Sequence, residues 1–339
     1  MQSRQVNVTR HGGPETLRLT QVDVPTPGPG QARVRIEAAG VSYGDILLSR
    51  GVIPGSPKPP YTPGFNIAGV VEEVGPTTDP RLVGESVAAL VRTGGYAEHI
   101  VLPAERLVPR PAAVDAVQAA AVALNYFIAY QMLHRVADVR PDQQILVHGA
   151  SGGVGLAFVQ LAAIAGVRCY GSASAAKLDL VARNGGQPFD YRSHDFVEFI
   201  RATPTGAVDA VFDAIGGRHF NRSYAVLRRG GVLVGYGQSA AVTADGKPDR
   251  VAGAWGFLGG IVLPKLRADG RRTVFYNAWS LEKKHPSAYR EDLATVLELL
   301  AGGRIEPLLA TTVPLAEAAR AQQRLQDSQV TGTLVLTTA

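Results

Sequence analysis

Cysteine is nearly absent, with one residue, Cys169, in a chain of 339. A single thiol excludes internal disulfides and any CxxC zinc ribbon. Its place in the apolar run Val167 to Tyr170 suits a buried packing residue better than a nucleophile. The compartment this implies is a reducing one. Apolar segments of membrane-spanning length are also missing from this reading. The opening MQSRQVNVTRHGGPETLRL carries charges and no apolar core, so no secretory signal is visible and a cytoplasmic location is expected. An unusual stretch, VAGAWGFLGGIVLPKL at 251–266, has sixteen mostly apolar residues with four glycines and a proline, short of the ~20 that a membrane helix needs. A substrate lid, a contact with a second subunit and a peripheral membrane contact are the roles open to it. Metal-ligand spacing is absent as well. His11, His99, His134, His148, His194, His219 and His285 show no HxxH or HExxH pattern, so they read as surface or capping residues, and His148 as structural. The net charge is +5, but the arginines are scattered and form no stripe, which argues against nucleic acid and suits an anionic dinucleotide.

With 46% hydrophobic and 19% charged residues, the chain has the composition of a globular protein long enough for two domains. It is organised around QILVHGASGGVGLAFVQLAAIAG, residues 144–166. Ile145 to Val147 form a short buried strand, a glycine-rich turn runs from His148 to Gly153, and a helix with apolar residues on most sides follows. Ala150, Gly152 and Gly155 make a GxGxxG pattern with alanine in first place. The first small residue permits a sharp turn, the second lets backbone N–H groups approach a pyrophosphate, and the third lets the helix pack on its strand. The helix N-terminus then faces an anion.

Val167 to Tyr170 is the next strand of a right-handed βαβ unit. An NAD-selecting fold ends that strand in Asp or Glu, which holds the ribose 2′-hydroxyl. Here the chain reads Gly171, Ser172, Ala173, Ser174, then Lys177. Without a carboxylate to repel a 2′-phosphate, and with hydroxyls and an ammonium near it, the site favours NADP. One charge-assisted hydrogen bond is worth roughly 1.5–3 kcal/mol, about ten- to a hundredfold in preference. The competing reading makes Ser174 a helix cap and Lys177 a solvated lysine.

Before this unit the chain is β-rich, with strands over 5–9, 17–22, 32–39, 68–74, 86–91 and 97–101, a short helix over 44–49, and frequent Gly/Pro turns. That is the pattern of a curled barrel. Helices over 113–123 and 124–136 follow, and then strands and helices alternate to Tyr236 as in a doubly wound α/β sheet. The end returns to a helix over 287–301, strands over 308–313 and 332–336, and a helix between them.

The segments AAGVSYGDILLSRG, PGFNIAGVVEEVG, LVHGASGGVG, GSASAAK with DYRSHDF, FDAIGG, VGYG and GTLVL span almost the whole chain. In them the sequence resembles the medium-chain dehydrogenase/reductases, and among these the zinc-independent, zeta-crystallin-like quinone oxidoreductases. LNYFIAYQML and GSASAAK are similar to the branch of the synaptic-vesicle amine-transport protein. The resemblance implies a GroES-like catalytic barrel, residues 1–122 and 285–339, and a Rossmann domain, residues 123–284. It implies NADPH, cradled by Ala150, Ser151, Gly152, Gly153, Val154 and Gly155, with its 2′-phosphate held by Ser174, Lys177 and Tyr191. The nicotinamide is expected near Ser42, Asp45, Asn125, Gly235, Tyr236, Gly237 and Phe275. A homodimer joined at the strand around Thr273 to Tyr276 is also implied.

Zinc-dependent relatives carry Cys where this chain has Ser42 and a His-Glu pair where it has Phe65 and Asn66, so no metal is expected. Without a Lewis acid an unactivated alcohol is hard to oxidise. A polarised double bond can still accept hydride at its β-carbon, given hydrogen-bond donors for the enolate and a proton source. Tyr43, Ser42, Asn125, Tyr61 and solvent are candidates; Tyr43 is preferred, its alternative being a packed aromatic. The expectation is an NADPH-dependent reductase of a quinone or α,β-unsaturated carbonyl. An NADPH-binding or membrane-associated interaction protein is the alternative, and a zinc alcohol dehydrogenase comes third. Departures from the family pattern are Val52, Ile53 and Pro54 after Gly51, Ile128 for a threonine, and Thr333 for a lysine, all making the expected pocket more apolar.

Overall fold

Alternating apolar residues build the first part of the chain. In the computed structural model, which describes residues 1–53, 55–243 and 249–338, they form β1 (Gln2–Val8), β2 (Leu17–Asp23), β3 (Gln31–Val41), β4 (Asn66–Val74), β5 (Ser86–Leu90), β6 (His99–Pro103) and β7 (Val108–Pro109). The central part forms β8 (Gln144–Val147), β9 (Arg168–Ala173), β10 (Gln187–Asp190), β11 (Val208–Asp213), β12 (Leu227–Gly235) and β13 (Arg272–Phe275), and the end adds β14 (Leu309–Pro314) and β15 (Thr333–Thr337). By its contacts the chain divides into one unit of Met1–Phe127 with Ser287–Ala339 and another of Ile128–Pro286.

In the first unit β14-β15-β3-β4-β5-β7 run side by side, with β6 also on β3. β3 can serve three partners because its pairing with β4 shifts register between Arg33 and Val34 and again between Ile36 and Ala38, which curls the sheet. A Cβ at Gly69 would sit 2.1 Å from the Arg35 carbonyl, so only glycine permits that approach of β4 to β3. Val34, Ile36, Ile67, Val71, Val87, Leu334 and Leu336 fill the interior.

The second unit holds six parallel strands in the order β10-β9-β8-β11-β12-β13. Ile145, Leu146 and Val147 are fully buried, as expected of a strand covered on both faces. Strand order reverses between β8 and β11, so the carboxyl ends of these two strands flank a topological switch point, where open α/β sheets bind ligands. Cys169 lies buried in β9, and burial pushes its thiol up to about 12, which keeps it unreactive.

Helix boundaries moved where a cap decided them. The helix expected over 113–123 starts at Ala116, because the Asp115 carboxylate accepts from the Gln118 N–H in a capping box. The helix expected over 124–136 is α-helical over Asn125–Tyr130 and a π-turn over Gln131–Val136. Ala116–Val136 as a whole has the length and apolarity to span a membrane, which the sequence reading overlooked, but 67% of its most apolar window is buried in the protein. The stretch 251–266 is helical throughout; Gly260 and Ile261 are buried, while Val251, Trp255, Leu258, Val262, Leu263 and Leu266 are exposed.

Candidate functional site

The turn after β8 has the shape its small residues require. Gly149 has φ +69°, and a Cβ on it would meet nothing within 4 Å, so its outer side is open. At Gly155 a Cβ would lie 2.1 Å from the Gly149 carbonyl and 2.7 Å from Ala150 Cα, so helix and turn touch there without room for a side chain. The helix Gly153–Ile164 begins at Gly152 with no side-chain cap. Its first N–H groups have no partner among the described residues and present partial positive charge to an anion. Ser172 of β9 turns inward and its Oγ accepts from the Gly149 N–H at 3.1 Å, bracing the turn.

Ser174, Lys177 and Tyr191 come together at the carboxyl ends of β9 and β10. Tyr191 N–H donates to the Ala173 carbonyl at 3.2 Å, which seats the start of the 191–194 turn beside the end of β9. Ser174 occupies the N-cap position of the turn Ala175–Lys177, but its side chain makes no capping bond there. Ser174 and Lys177 are half-buried, and Tyr191 is exposed. β9 itself ends without a carboxylate; Asp190, which closes β10, pairs in register with Ala173 and accepts from Arg192 N–H at 3.0 Å. Arg192 lies over the Tyr191 ring, 5.7 Å from its centroid, and is a second cation at this corner that the sequence reading quoted without using.

Across the switch point, Asp213 closes β11 and His148 closes β8. Asp213 is fully buried. Its Oδ1 accepts from Ile215 N–H at 2.8 Å and Gly216 N–H at 3.1 Å, and its Oδ2 accepts from Ser223 Oγ and from His219 Nδ1, each at 2.7 Å. Ser223 spends its proton on Asp213, so its oxygen accepts from His148 Nε2 at 3.1 Å. Burial opposes the Asp213 charge, but the His219 bond, the neighbouring imidazoles and Ser223 outweigh it and hold the carboxyl down at about 2. Burial moves His148 the other way, to about 3, so it is a neutral ring. The ligand atoms of His148, Asp213 and His219 all lie within 4.8 Å of one another. His148 is structural, as expected, and His219 is bonded into the same cluster instead of being the surface or capping residue expected. Most of the set's donor and acceptor capacity is spent on internal bonds that pin the 213–217 turn.

That turn carries the next expected cofactor residues. Tyr236 N–H donates to the Asp213 carbonyl at 3.0 Å, and Ser239 N–H and Ala240 N–H bind the carbonyls of Ala214 and Ile215. A Cβ on Gly237 would lie 2.6 Å from the Ala214 carbonyl, and one on Gly235 would lie 2.8 Å from the Phe220 ring. Both glycines are required for this packing. Phe275 pairs with Gly235 across β12 and β13. Gly152, Gly235, Tyr236, Gly237 and Phe275 therefore all lie on the carboxyl side of one sheet.

In the first unit, Ser42 caps the helix Tyr43–Ser49 in a capping box with Asp45. Ser42 Oγ and Ser42 N–H both donate to Asp45 Oδ2, at 2.7 and 2.8 Å, and Gly64 N–H donates to Oδ1 at 3.0 Å. Asp45 is wholly buried. Burial raises its carboxyl to about 6 in spite of these bonds. Around it lie Tyr96, whose hydroxyl faces Asp45 and Gln322, and Tyr61, which faces Ser49; none of these side-chain groups makes a well-aligned bond. Tyr61 is pushed up to about 12 by burial. Tyr43 is 44% exposed at the helix start, which rules out the packed-aromatic alternative. Asn125 Nδ2 donates to Thr333 Oγ1 at 3.1 Å, so the two positions are tied to each other. At the positions where zinc-dependent relatives place ligands, Ser42 is engaged with Asp45, and Asn66 Nδ2 donates to the Ala120 carbonyl at 2.7 Å.

Residues 28–112 match the family described as Alcohol dehydrogenase GroES-like domain, and residues 185–336 match Zinc-binding dehydrogenase. The Synaptic vesicle membrane protein VAT-1 homolog of Danio rerio is 31% identical over 99% of this chain and 70% of its own length. The 2-haloacrylate reductase of a Burkholderia species is 32% identical over 97% of each chain. The solved quinone oxidoreductase of Escherichia coli, complexed with NADPH, superposes with a TM-score of 0.85 at 26% identity, covering 98% of this chain and 99% of that one. A GroES-like barrel with a doubly wound sheet is the architecture of the medium-chain dehydrogenase/reductases. The chain belongs to that family, in the branch of the quinone oxidoreductases and VAT-1 homologues, and is an oxidoreductase.

Proposed function

We propose that the protein is an NADPH-dependent, zinc-independent reductase of an activated carbon–carbon double bond, in an enone, quinone or related acrylate. The observation that carries the coenzyme reading is the corner of Ser174, Lys177, Tyr191 and Arg192 beside an uncapped helix N-terminus, with no carboxylate at the end of β9. The helix N-terminus and the open side of Gly149 would receive the pyrophosphate, and the hydroxyl and cations would hold the 2′-phosphate. NADPH, when bound, supplies the hydride. Two named relatives, the 2-haloacrylate reductase and the quinone oxidoreductases, support an activated double bond as acceptor. Zinc independence is supported by the engagement of Ser42 and Asn66 in bonds of the fold and by Phe65, which offers no ligand atom.

In this reading Ser42 and Tyr43 are the hydrogen-bond donors for the developing enolate, and Asn125 holds the Thr333 segment in place. The test is NADPH oxidation, followed by absorbance, against enones, quinones and haloacrylates, with metal content measured on the same sample. Turnover without stoichiometric zinc is expected.

A second reading is favoured by one feature, the exposed row Val251, Trp255, Leu258, Val262 and Leu266 along a helix. It makes the protein an NADPH-binding interaction partner at a membrane or a protein surface. Tight NADPH binding with no turnover on any acceptor selects it. A homodimer is proposed at the outer edge of β13, the last strand of its sheet, and light scattering in solution tests it.

A further inference from the structure

The buried polar cluster behind Ser42 is not explained by helix capping alone. A capping box needs only a side-chain acceptor at the third helical position, which the Gln118 amide supplies for the helix starting at Ala116. Here the acceptor is the Asp45 carboxylate, inside the protein with no residual exposure. It is surrounded by hydroxyls and amides: Ser42 and Gly64 bond to it, Tyr96 faces it, and Ser49, Tyr61 and Gln322 are near neighbours with unmet hydrogen-bonding capacity. Tyr96 is the one titratable group among the causes that shift it, Asp45 in turn raises Tyr61 and Tyr96, and no cation is among those causes. A buried carboxyl without a cation holds its proton more firmly than one in water. Ser42, half-buried, bonds directly to the carboxyl and has part of its surface exposed.

We propose that Asp45 and Ser42 form a proton relay, Asp45 storing the proton and Ser42 delivering it to the reduced substrate. The proposal rests on the reductase reading above. When Asp45 is a carboxylate, Ser42 gives its hydroxyl proton to Oδ2 and has none to offer. When Asp45 is protonated, the bond reverses: Oδ2–H donates to Ser42 Oγ, and the Ser42 hydroxyl proton is free to point outward. Hydride arriving at the β-carbon moves the π pair toward the carbonyl and leaves an enolate. The α-carbon of the enolate then takes the Ser42 proton, Ser42 takes the Asp45 proton across the 2.7 Å bond, and the carboxylate left behind is reprotonated by solvent. Ser42 is the catalytic residue of this pair, and Asp45 acts through it.

Three measurements test this. In the wild-type protein, kcat should be level at low pH and fall about tenfold per pH unit above about 6. Asp45→Asn should lower kcat about a hundredfold or more with KM little changed, and should flatten that pH profile. Asparagine still accepts one of the two backbone bonds, and Asp45→Glu serves if the first variant fails to fold. Without any variant or coenzyme, infrared difference spectra of the wild-type chain should show a buried carboxylic acid stretch that titrates near pH 6. A carboxyl that titrates at 4 or below, or an Asp45→Asn enzyme that keeps the wild-type pH slope, overturns the relay alone. A wild-type chain with no turnover on any acceptor, its carboxyl still titrating near 6, overturns the reductase reading and the relay with it.

Discussion

Each unit of this protein buries an aspartate and gives it two backbone N–H bonds and a serine hydroxyl, yet the two carboxyls end on opposite sides of their ordinary range. Asp45 goes up to about 6 and Asp213 goes down to about 2. The N–H bonds do not separate them, since each has two. The difference is the imidazole: His219 bonds to Asp213 at 2.7 Å and His148 stands behind Ser223, whereas the neighbours of Asp45 are hydroxyls and amides. Backbone dipoles and hydroxyls do not offset full burial of a carboxylate, and a bonded imidazole does. The first arrangement stores a proton. The second fixes a charge, and with it a turn.

The comparison can be broken most severely at Asp213. Asp213→Ala leaves His219, Ser223 and two backbone N–H groups without their acceptor, and should cost about 3–5 kcal/mol, read as a lowered denaturant midpoint with the coenzyme absent. A loss under about 1 kcal/mol would mean that the carboxylate does not hold the turn.

The pH dependence of stability comes next, and the two groups have opposite signs. Asp45, raised in the folded state, makes the fold bind more protons than the unfolded chain between pH 3.8 and about 6, so stability falls by about 3 kcal/mol as pH rises through that window. Asp213, lowered, contributes about 2 kcal/mol above pH 3.8 that is lost as pH falls toward about 2. Asp45→Asn should flatten the first window and leave the second intact in denaturation curves taken across pH.

A smaller effect is expected at the coenzyme corner. Lys177→Ala should weaken NADPH binding about ten- to a hundredfold by calorimetry and leave NADH binding unchanged. Equal loss for both coenzymes would place Lys177 away from the 2′-phosphate. Smallest is Thr333→Val, which removes the Asn125 bond and should cost about 1 kcal/mol in thermal stability.

How much of this was legible in the chain depended on the range of the interaction. The turn after Val147 was readable because each of its small residues answers a local steric demand, as the 2.1 Å approach at Gly155 shows. The helix starting at Ala116 was misplaced by three residues although Asp115 and Gln118 spell its cap. The helix over 251–266 hid behind four glycines and a proline, even though its exposed residues at 251, 255, 258, 262 and 266 keep helical spacing. His148 and Ser223 are 75 residues apart, and only the pairing of β8 with β11 brings their surroundings together. Half of that cluster was readable: Asp213 ends an apolar run, and His219 and Ser223 are one helical turn apart.

The amino-acid order by itself determined the alternation of strands and helices, the glycine cradle and the lack of an acid at the end of the second Rossmann strand, because each of these is set by residues near one another in the chain. Which aspartate is a proton store and which a fixed charge was decided only by the tertiary structure. A carboxyl's affinity for its proton depends on how much water is removed from it and which dipoles and rings replace that water, and those neighbours come from distant parts of the chain.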